Sequence, residues 1–556
     1  GGGLAERDGF YHAADANGML VMQEFWMTGD NNGRWAGNYS WPEDHHIYLQ
    51  AVRDTVLRLR SYASLLFYCG GNELSPEGKN PSPDIAQGIR SILARMDTRR
   101  FYIESSMSPQ AADPSHWRPE YALAMQDGPY GPLLSPEFWQ PQPGLGRAYQ
   151  DETRIRIPFQ PEIGSASQPT LKSMRRFMSS TSLAAFPPPH AGSDDSKEVH
   201  KTWTFHKYLS FTTQTNKTNT SQGQSGYDHV YAYGSHKTIE DYCFAAQLAQ
   251  RQQYQMLFEG FMSGMWERRT AVFMWKSQSP WPALRGALYD YYMSPTGGYY
   301  GVRKALAGAL HVQLRWDANS LEATESGALP SWGVDIVSRC GMRRVDIRLH
   351  VEWRALDGSL VHQSMEVVEL VSANAVTHTN TTLTWPMLPG RQGHNLLLLR
   401  MCLRDNLSGK RLSSNEYWLT KRQPAKPDYT GLQNLRRDPV ENLRVNFGDG
   451  APWPAGACTI LRTMVHISLP AQARSLALGV VLEIVTLQDQ KLLDDRLLPA
   501  YLSDGYFAIV PGETRTVSLS LEHIADELRC QQLALRVEGW NVRPALFPLP
   551  TSALIA

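Results

Sequence analysis

Cysteine is scarce in this chain. Six residues in 556 (Cys69, Cys243, Cys340, Cys402, Cys458 and Cys530), with no Cys-x-x-Cys spacing and no Cys/His cluster, leave no framework for zinc or for a dense disulfide scaffold. Net charge is missing too: 54 Lys and Arg offset 54 Asp and Glu, which removes the electrostatic case for nucleic acid or an anionic membrane as partner. No apolar run reaches the ~18 residues of a membrane-crossing helix. Nor is there an initiating Met or a basic, apolar leader. The opening Gly1-Gly2-Gly3-Leu4 reads as the interior of a longer protein, and targeting stays open. Sequons at Asn38, Asn216, Asn219, Asn380 and Asn406 permit glycosylation in a secretory route, with a vacuole or lysosome-like compartment among the options. Aromatics are plentiful at 10%, including 16 Trp; their faces suit stacking on sugar rings and serve equally as core.

A chain of this length exceeds one core and implies several domains, or one large barrel with smaller partners. The organising stretch is Leu65-Leu66-Phe67-Tyr68-Cys69-Gly70-Gly71-Asn72-Glu73. Its apolar run predicts a strand buried on both faces, and its glycines are expected to turn the chain out of the strand. Around it, residues 5–17 read as a helix closed by Gly18, 19–25 as a strand, and 45–62 as a helix with Leu49, Val52, Val56 and Leu59 on one face. Further strands are expected at 101–105, 121–126, 155–160 and 270–275, with helices at 84–96 and 239–268. Strands alternating with helices imply parallel pairing. Six such strands are two short of a closed (β/α)8 barrel. The expectation is a multidomain chain whose residues 1–308 form barrel strands three to eight, the first strands lying upstream of Gly1.

Two segments, 179–199 and 212–225, carry no period and read as surface loops or disordered stretches. Beyond residue 309 the texture changes to short alternating strands, the pattern of a β-sandwich. An immunoglobulin-like sandwich is expected over 309–420, a Pro/Lys/Arg-rich linker over 421–439, and a second sandwich over 440–556.

The chemistry lies at the strand tips. Glu73 ends the second visible strand and Glu162 the fifth, and barrel closure would face them across one mouth. Two opposed carboxylates are the minimal equipment for cleaving a glycosidic bond: one holds a proton, the other attacks the anomeric carbon. Asn72 offers an uncharged amide to a sugar hydroxyl. Glu24 and Asp127 are further tip acids, Trp275 ends the last strand as a candidate floor under a sugar, and Trp26 and Trp281 are candidates for shaping the cleft. Glu104 reads as a structural acid, and no histidine has metal-ligand spacing.

The segments Gly1-Gly2-Gly3-Leu4-Ala5-Glu6-Arg7, Gln23-Glu24-Phe25-Trp26-Met27-Thr28-Gly29-Asp30, Cys69-Gly70-Gly71-Asn72-Glu73, Asp127-Gly128-Pro129-Tyr130, Pro161-Glu162-Ile163-Gly164, Trp275-Lys276-Ser277-Gln278-Ser279-Pro280-Trp281 and Leu284-Arg285-Gly286 together resemble glycoside hydrolase family two, in its plant-type endo-β-mannosidase branch. The resemblance implies that Glu73 is the general acid/base, Glu162 the nucleophile and Asn72 the partner of the sugar 2-hydroxyl. It also implies a retaining double displacement with no metal or organic cofactor, Glu24 and Trp275 lining the scissile mannose, and an oligosaccharide substrate such as the Manβ1-4GlcNAc unit of N-glycans. Tyr68-Cys69 departs from the Trp-Val of plant relatives. The alternatives are an exo-acting β-mannosidase or exo-β-glucosaminidase, and, from another class, an inactive fragment or a non-catalytic carbohydrate-binding protein.

Overall fold

The structure is a computed structural model and describes residues 5–29, 41–74, 82–106, 125–127, 139, 159–164, 168–184, 198–206, 230–267, 269–284, 287–316, 329–341, 343–386, 395–421, 427–448, 461–487, 495–521 and 533–549. The segment 212–225, most of 179–199, the sequons at Asn38, Asn216 and Asn219, and motif residues 1–4, 30, 128–130 and 285–286 lie outside the described residues. The chain forms two compact units. Gly1–Pro129, Gly144–Ile163 and Trp266–Trp275 make the first, and the remainder the second.

In the first unit, helix α1 (Asp8–Asn17) ends where Gly18 takes φ 64° and returns its N–H to Ala14 and Asp15. Strand β1 (Val21–Thr28) follows. Helix α2 (His45–Leu59) is started by Asp44, whose side chain accepts from the Ile47 N–H. Strand β2 (Leu65–Asn72), helix α3 (Pro83–Met96) and strand β3 (Phe101–Ile103) complete a parallel sheet in the order β1-β2-β3. A second parallel sheet joins β4 (Met125–Asp127), β5 (Phe159–Ile163) and β6 (Ala271–Met274).

Each strand of the first sheet has two apolar faces. One packs on the helices: Phe25 and Tyr68 stack at 5.5 Å in a cluster with Val52 and Val56 of α2 and Ile85 and Ile89 of α3. The other packs the two sheets together, with Phe67 of β2, Ile103 of β3 and Phe159 of β5 in one cluster that Met22 and Phe273 flank.

The second unit centres on the long helix Ile239–Met262. Thr238 caps it through the Asp241 N–H, and nearly every side chain from Tyr242 to Phe261 is buried. This helix, which falls within the residues expected to form the barrel domain (1–308), is buried on nearly every side and groups by contact with the sandwiches. The helix Gly297–Leu306 lies unusually close to it. A Cβ at Gly297 would sit 2.0 Å from the Gln247 carbonyl oxygen, and one at Gly301 2.2 Å from that of Arg251. Gly301→Ala is therefore expected to destabilise the protein by about 1–3 kcal/mol, because the obstacle is backbone and cannot rotate away. Thermal unfolding reads this as a lowered midpoint.

The first sandwich pairs a four-stranded antiparallel sheet, β10-β9-β12-β13, with the sheet β11-β8-β7. Its strands are β7 (Leu310–Arg315), β8 (Ser331–Ser338), β9 (Arg344–Arg354), β10 (Leu360–Val371), β11 (Ala375–Thr384), β12 (Leu396–Asp405) and β13 (Arg411–Thr420). Trp332, Trp353 and Trp385 form an aromatic chain in its core. The second sandwich pairs β14-β15-β19-β17 with β18-β16-β20-β21. These are β14 (Arg444–Phe447), β15 (Leu461–Ser468), β16 (Ala477–Thr486), β17 (Ala500–Leu502), β18 (Phe507–Ile509), β19 (Thr514–Leu521), β20 (Leu533–Gly539) and β21 (Val542–Pro548).

The stretch read as a linker is instead partly built into this core. Residues Thr430–Arg437 form a 3-10 helix, and at three residues per turn Tyr429, Leu432 and Leu435 fall on one buried face. The Trp540 indole N–H donates to the Leu432 carbonyl at 2.9 Å. Its Pro, Lys and Arg residues masked that short apolar period.

Candidate active site

The tip of β2 is built by close approach rather than by glycine flexibility. Gly70 and Gly71 stay within the strand with ordinary φ. What they provide is absence of bulk: a Cβ on Gly70 would lie 2.3 Å from the Glu104 carbonyl oxygen, and one on Gly71 2.6 Å from that of Met27. Neighbouring strands press in on both sides there. The unusual backbone belongs to Glu73 itself, at φ 50°, a conformation a non-glycine residue holds only when its surroundings impose it.

Those surroundings are two serines just past β3. Ser106 Oγ accepts the Glu73 N–H at 3.0 Å and donates to Asn72 Oδ1 at 3.3 Å, while Ser105 Oγ accepts the Leu74 N–H at 2.9 Å. The Ser106 N–H in turn donates to the Gly71 carbonyl at 3.0 Å. One latch thus orients the amide and fixes the turn that carries the acid. Ser105 and Ser106 are not among the residues expected at the site, although they are polar residues just past the end of an apolar strand, the same signal that Asn72 and Glu73 carry.

Glu24 pairs in register with Cys69 on the neighbouring strand. Burial, and then the Glu24 charge, pushes the Cys69 thiol well above its ordinary range, and its Sγ–H donates to the Gly71 carbonyl at 3.3 Å. Cys69 is therefore a neutral packing residue, not a nucleophile.

A register shift in β1 between Glu24 and Met27, with Trp26 at φ 46°, marks a bulge. It puts Phe25 and Trp26 in the same helix-facing cluster, where Trp26 meets Tyr48 edge-on at 5.8 Å. Trp26, expected to shape the cleft, packs against α2 instead, because the bulge breaks the alternation that would have set it beside Glu24.

On the other sheet, Pro161 has no N–H to donate, and the pairing of β5 with β6 shifts between Gln160 and Ile163. That irregularity brackets Glu162. Its register partner on β4 is Asp127, and the Trp275 N–H donates to the Ile163 carbonyl at 2.8 Å. Asp127, Glu162 and Trp275 thus gather at the C-terminal end of one parallel sheet, and Glu24, Asn72 and Glu73 towards that of the other. All four of Glu24, Asn72, Glu73 and Glu162 are at most 9% exposed. Trp281 lies in the second unit, where it stacks on His206 at 5.8 Å. Glu104 pairs with Arg90. Among the described residues no group of His, Cys, Asp and Glu is arranged to hold a metal ion.

Residues 418–542 match the family described as the exo-β-D-glucosaminidase Ig-fold domain. Along 97% of its length the chain is 28% identical to a mannosylglycoprotein endo-β-mannosidase of Lilium longiflorum, covering 59% of that protein. Along 98% it is 24% identical to an exo-β-D-glucosaminidase of Amycolatopsis orientalis, covering 49% of it. The chain thus spans roughly half the length of these curated relatives. Its fold matches the Amycolatopsis orientalis exo-chitosanase CsxA with a TM-score of 0.71 at 22% identity, covering 98% of this chain and 59% of that one. It also matches a β-D-mannosidase of Dictyoglomus thermophilum with a TM-score of 0.61 at 16% identity, covering 98% and 56%. The kinship is with glycoside hydrolases, and the resemblance to family two and its endo-β-mannosidase branch extends over nearly the whole chain. The architecture is multidomain, with an immunoglobulin-like domain near its C-terminal end.

Proposed function

We propose that the protein is a retaining β-glycosidase that hydrolyses β-mannosidic bonds, the Manβ1-4GlcNAc bond of N-glycan oligosaccharides being its preferred target. The observation that carries this reading is the pair of buried carboxylates, Glu73 and Glu162, each at or near the end of a parallel strand whose side chains share one apolar cluster. In this reading β1 to β6 are strands three to eight of a (β/α) barrel within residues 1–308, followed by sandwiches at 309–420 and 440–556.

Retention requires the two carboxyl groups about 5–5.5 Å apart. Glu162 attacks the anomeric carbon while Glu73 gives its proton to the departing glycosidic oxygen, leaving a glycosyl ester on Glu162. Glu73, now ionised, takes a proton from water as its oxygen attacks the same carbon, and Glu162 leaves as carboxylate. Asn72, held by Ser106, hydrogen-bonds the sugar 2-hydroxyl. Glu24, Asp127 and Trp275 line the sugar. No step calls on a metal or organic cofactor.

Ser106→Ala removes the side-chain bonds to the Glu73 N–H and to Asn72 Oδ1 while keeping both carboxyl side chains. It is expected to lower kcat by about tenfold, equivalent to ~1.4 kcal/mol, through a less well-held Asn72–Glu73 turn. Steady-state kinetics on a β-mannoside checks this.

The match of residues 418–542 and the fold of the exo-chitosanase favour one second reading, an exo-acting β-glucosaminidase or β-mannosidase. Initial rates on a Man-Man-GlcNAc oligosaccharide, nitrophenyl β-mannoside and nitrophenyl β-glucosaminide separate the two. The proposal expects the oligosaccharide to be cleaved fastest; preference for a simple glycoside contradicts endo action.

A further inference from the structure

The outward face of the first sandwich carries a charge pattern that glycoside cleavage does not use. On β9, β12 and β13 alternate residues point away from the core: Glu352 and Arg354, then Arg400 and Arg404, then Glu416, while Trp353, Leu399 and Tyr417 between them are buried. Pairing sets Arg400 opposite both Glu352 and Glu416. This face forms one wall of a recess of about 370 Å3. Val510 to Glu513 and Arg515 of the second sandwich form another, and Lys304 also lines it.

Six cations line the recess (Lys304, Arg354, Arg400, Arg404, Arg411 and Arg515) against three carboxylates, Glu352, Glu416 and Glu513. Each carboxylate is already engaged. Arg354 Nε lies 2.9 Å from Glu352, Arg400 Nη2 2.5 Å from Glu513, and Arg515 Nη2 3.4 Å from Glu416. Burial would raise the Glu416 carboxyl, but Arg515, Arg251 and Lys304 hold it down to about 2, so it remains an anion. Lys304, Arg404 and Arg411 have no carboxylate at ion-pair distance among the described residues, which leaves the cavity with uncompensated positive charge.

Arg515 is the second, independent feature. It occupies a core-facing phase of β19, between exposed Thr514 and Thr516, and is 9% exposed. Its Nε–H is buried and has no hydrogen-bond partner. Leaving such a donor unsatisfied costs about 1–3 kcal/mol. The volume suits a small molecule, and planar guanidinium groups match the oxygens of tetrahedral oxyanions.

We propose that this recess is a second ligand site, separate from Glu73 and Glu162, that binds a phosphate or sulfate group, either as the free ion or as the monoester of a sugar. The reading does not depend on the glycosidase assignment.

Isothermal titration at low ionic strength tests it, with inorganic phosphate, inorganic sulfate, a hexose 6-phosphate and the free hexose as probes. Saturable binding of the anions and none of the free hexose is expected. Arg404 and Arg411 are exposed, so the R404E/R411E double variant should fold normally, as thermal unfolding will show, and should bind phosphate at least about tenfold more weakly. R444E, an exposed charge reversal outside the recess, and E162Q should bind as the parent does. Tighter binding of the hexose phosphate than of inorganic phosphate identifies a sugar ester as the ligand; equal binding identifies the free ion. Absence of saturable anion binding, or undiminished binding by R404E/R411E, overturns the proposal.

Discussion

Glu162→Ala should lower kcat by about four orders of magnitude or more, equivalent to ~5.5 kcal/mol of lost transition-state stabilisation. Without the attacking carboxylate no glycosyl ester forms, and water must attack an unactivated acetal. Azide, small enough to enter the space vacated by the carboxylate, should restore part of the rate and yield a glycosyl azide of inverted configuration. Glu73→Ala should behave differently. Loss of a general acid costs about 10²–10⁴-fold, but the cost falls as the leaving group becomes more acidic, since a nitrophenolate departs without a proton. Rates on a nitrophenyl glycoside and on the oligosaccharide therefore diverge for Glu73→Ala and fall together for Glu162→Ala. If both variants showed the same leaving-group dependence, the assignment of roles to the two acids would fail.

The largest loss of stability is expected from Glu259→Leu, far along the chain from either acid. Glu259 sits in the long helix with no exposure, and its carboxylate oxygens collect four contacts. Tyr417 OH donates to Oε2 at 2.6 Å, and Asn415 Nδ2 and Gln255 Nε2 donate to Oε1 at 2.7 and 3.1 Å. His311 Nε2 lies 2.9 Å from Oε1. Gln313 Nε2 adds a bond to the Glu259 carbonyl at 2.9 Å. One residue thus joins the helix to β7 and β13. Leucine fills similar space but strands several buried donors, each costing about 1–3 kcal/mol, so a total of ~4 kcal/mol is expected. For a unit of this size that corresponds to a fall of roughly 5 °C in unfolding temperature. Glu259→Gln, which keeps one acceptor, should lose less. Scanning calorimetry of both variants makes the comparison; equal losses would show that packing, not the hydrogen-bond network, holds the helix.

The helices and parallel strands of the first 275 residues were largely legible in the sequence because their signals are local. The periodicity of Val52, Val56 and Leu59 and the glycine after Asn17 need no partner to be read. So too with the apolar run before Asn72-Glu73, whose polar end made the tip visible. The rest depends on which distant segments meet. Gly70 and Gly71 were expected to bend the chain, but their purpose is set by two carbonyl groups, Glu104 and Met27, that approach from neighbouring strands. Trp26 left the expected face because one register shift moves a side chain across a sheet. The Ser105–Ser106 latch bridges more than thirty residues of sequence. The 3-10 helix at 430–437 hid a three-residue period among charges. Glu259, His311 and Asn415 carry no mutual spacing that composition could reveal; only the packing of a helix on a sandwich unites them.

The central claim is that Glu162 becomes covalently attached to the sugar. A 2-deoxy-2-fluoro-β-mannosyl fluoride slows release of the glycosyl ester more than its formation, so the intermediate should accumulate. Mass spectrometry of the intact protein should show one added fluoromannosyl group, and peptide mapping should locate it on Glu162. The same reagent should leave Glu162→Ala unlabelled. A label on any other residue, or turnover of β-mannosides by a protein that never forms the adduct, would contradict the account.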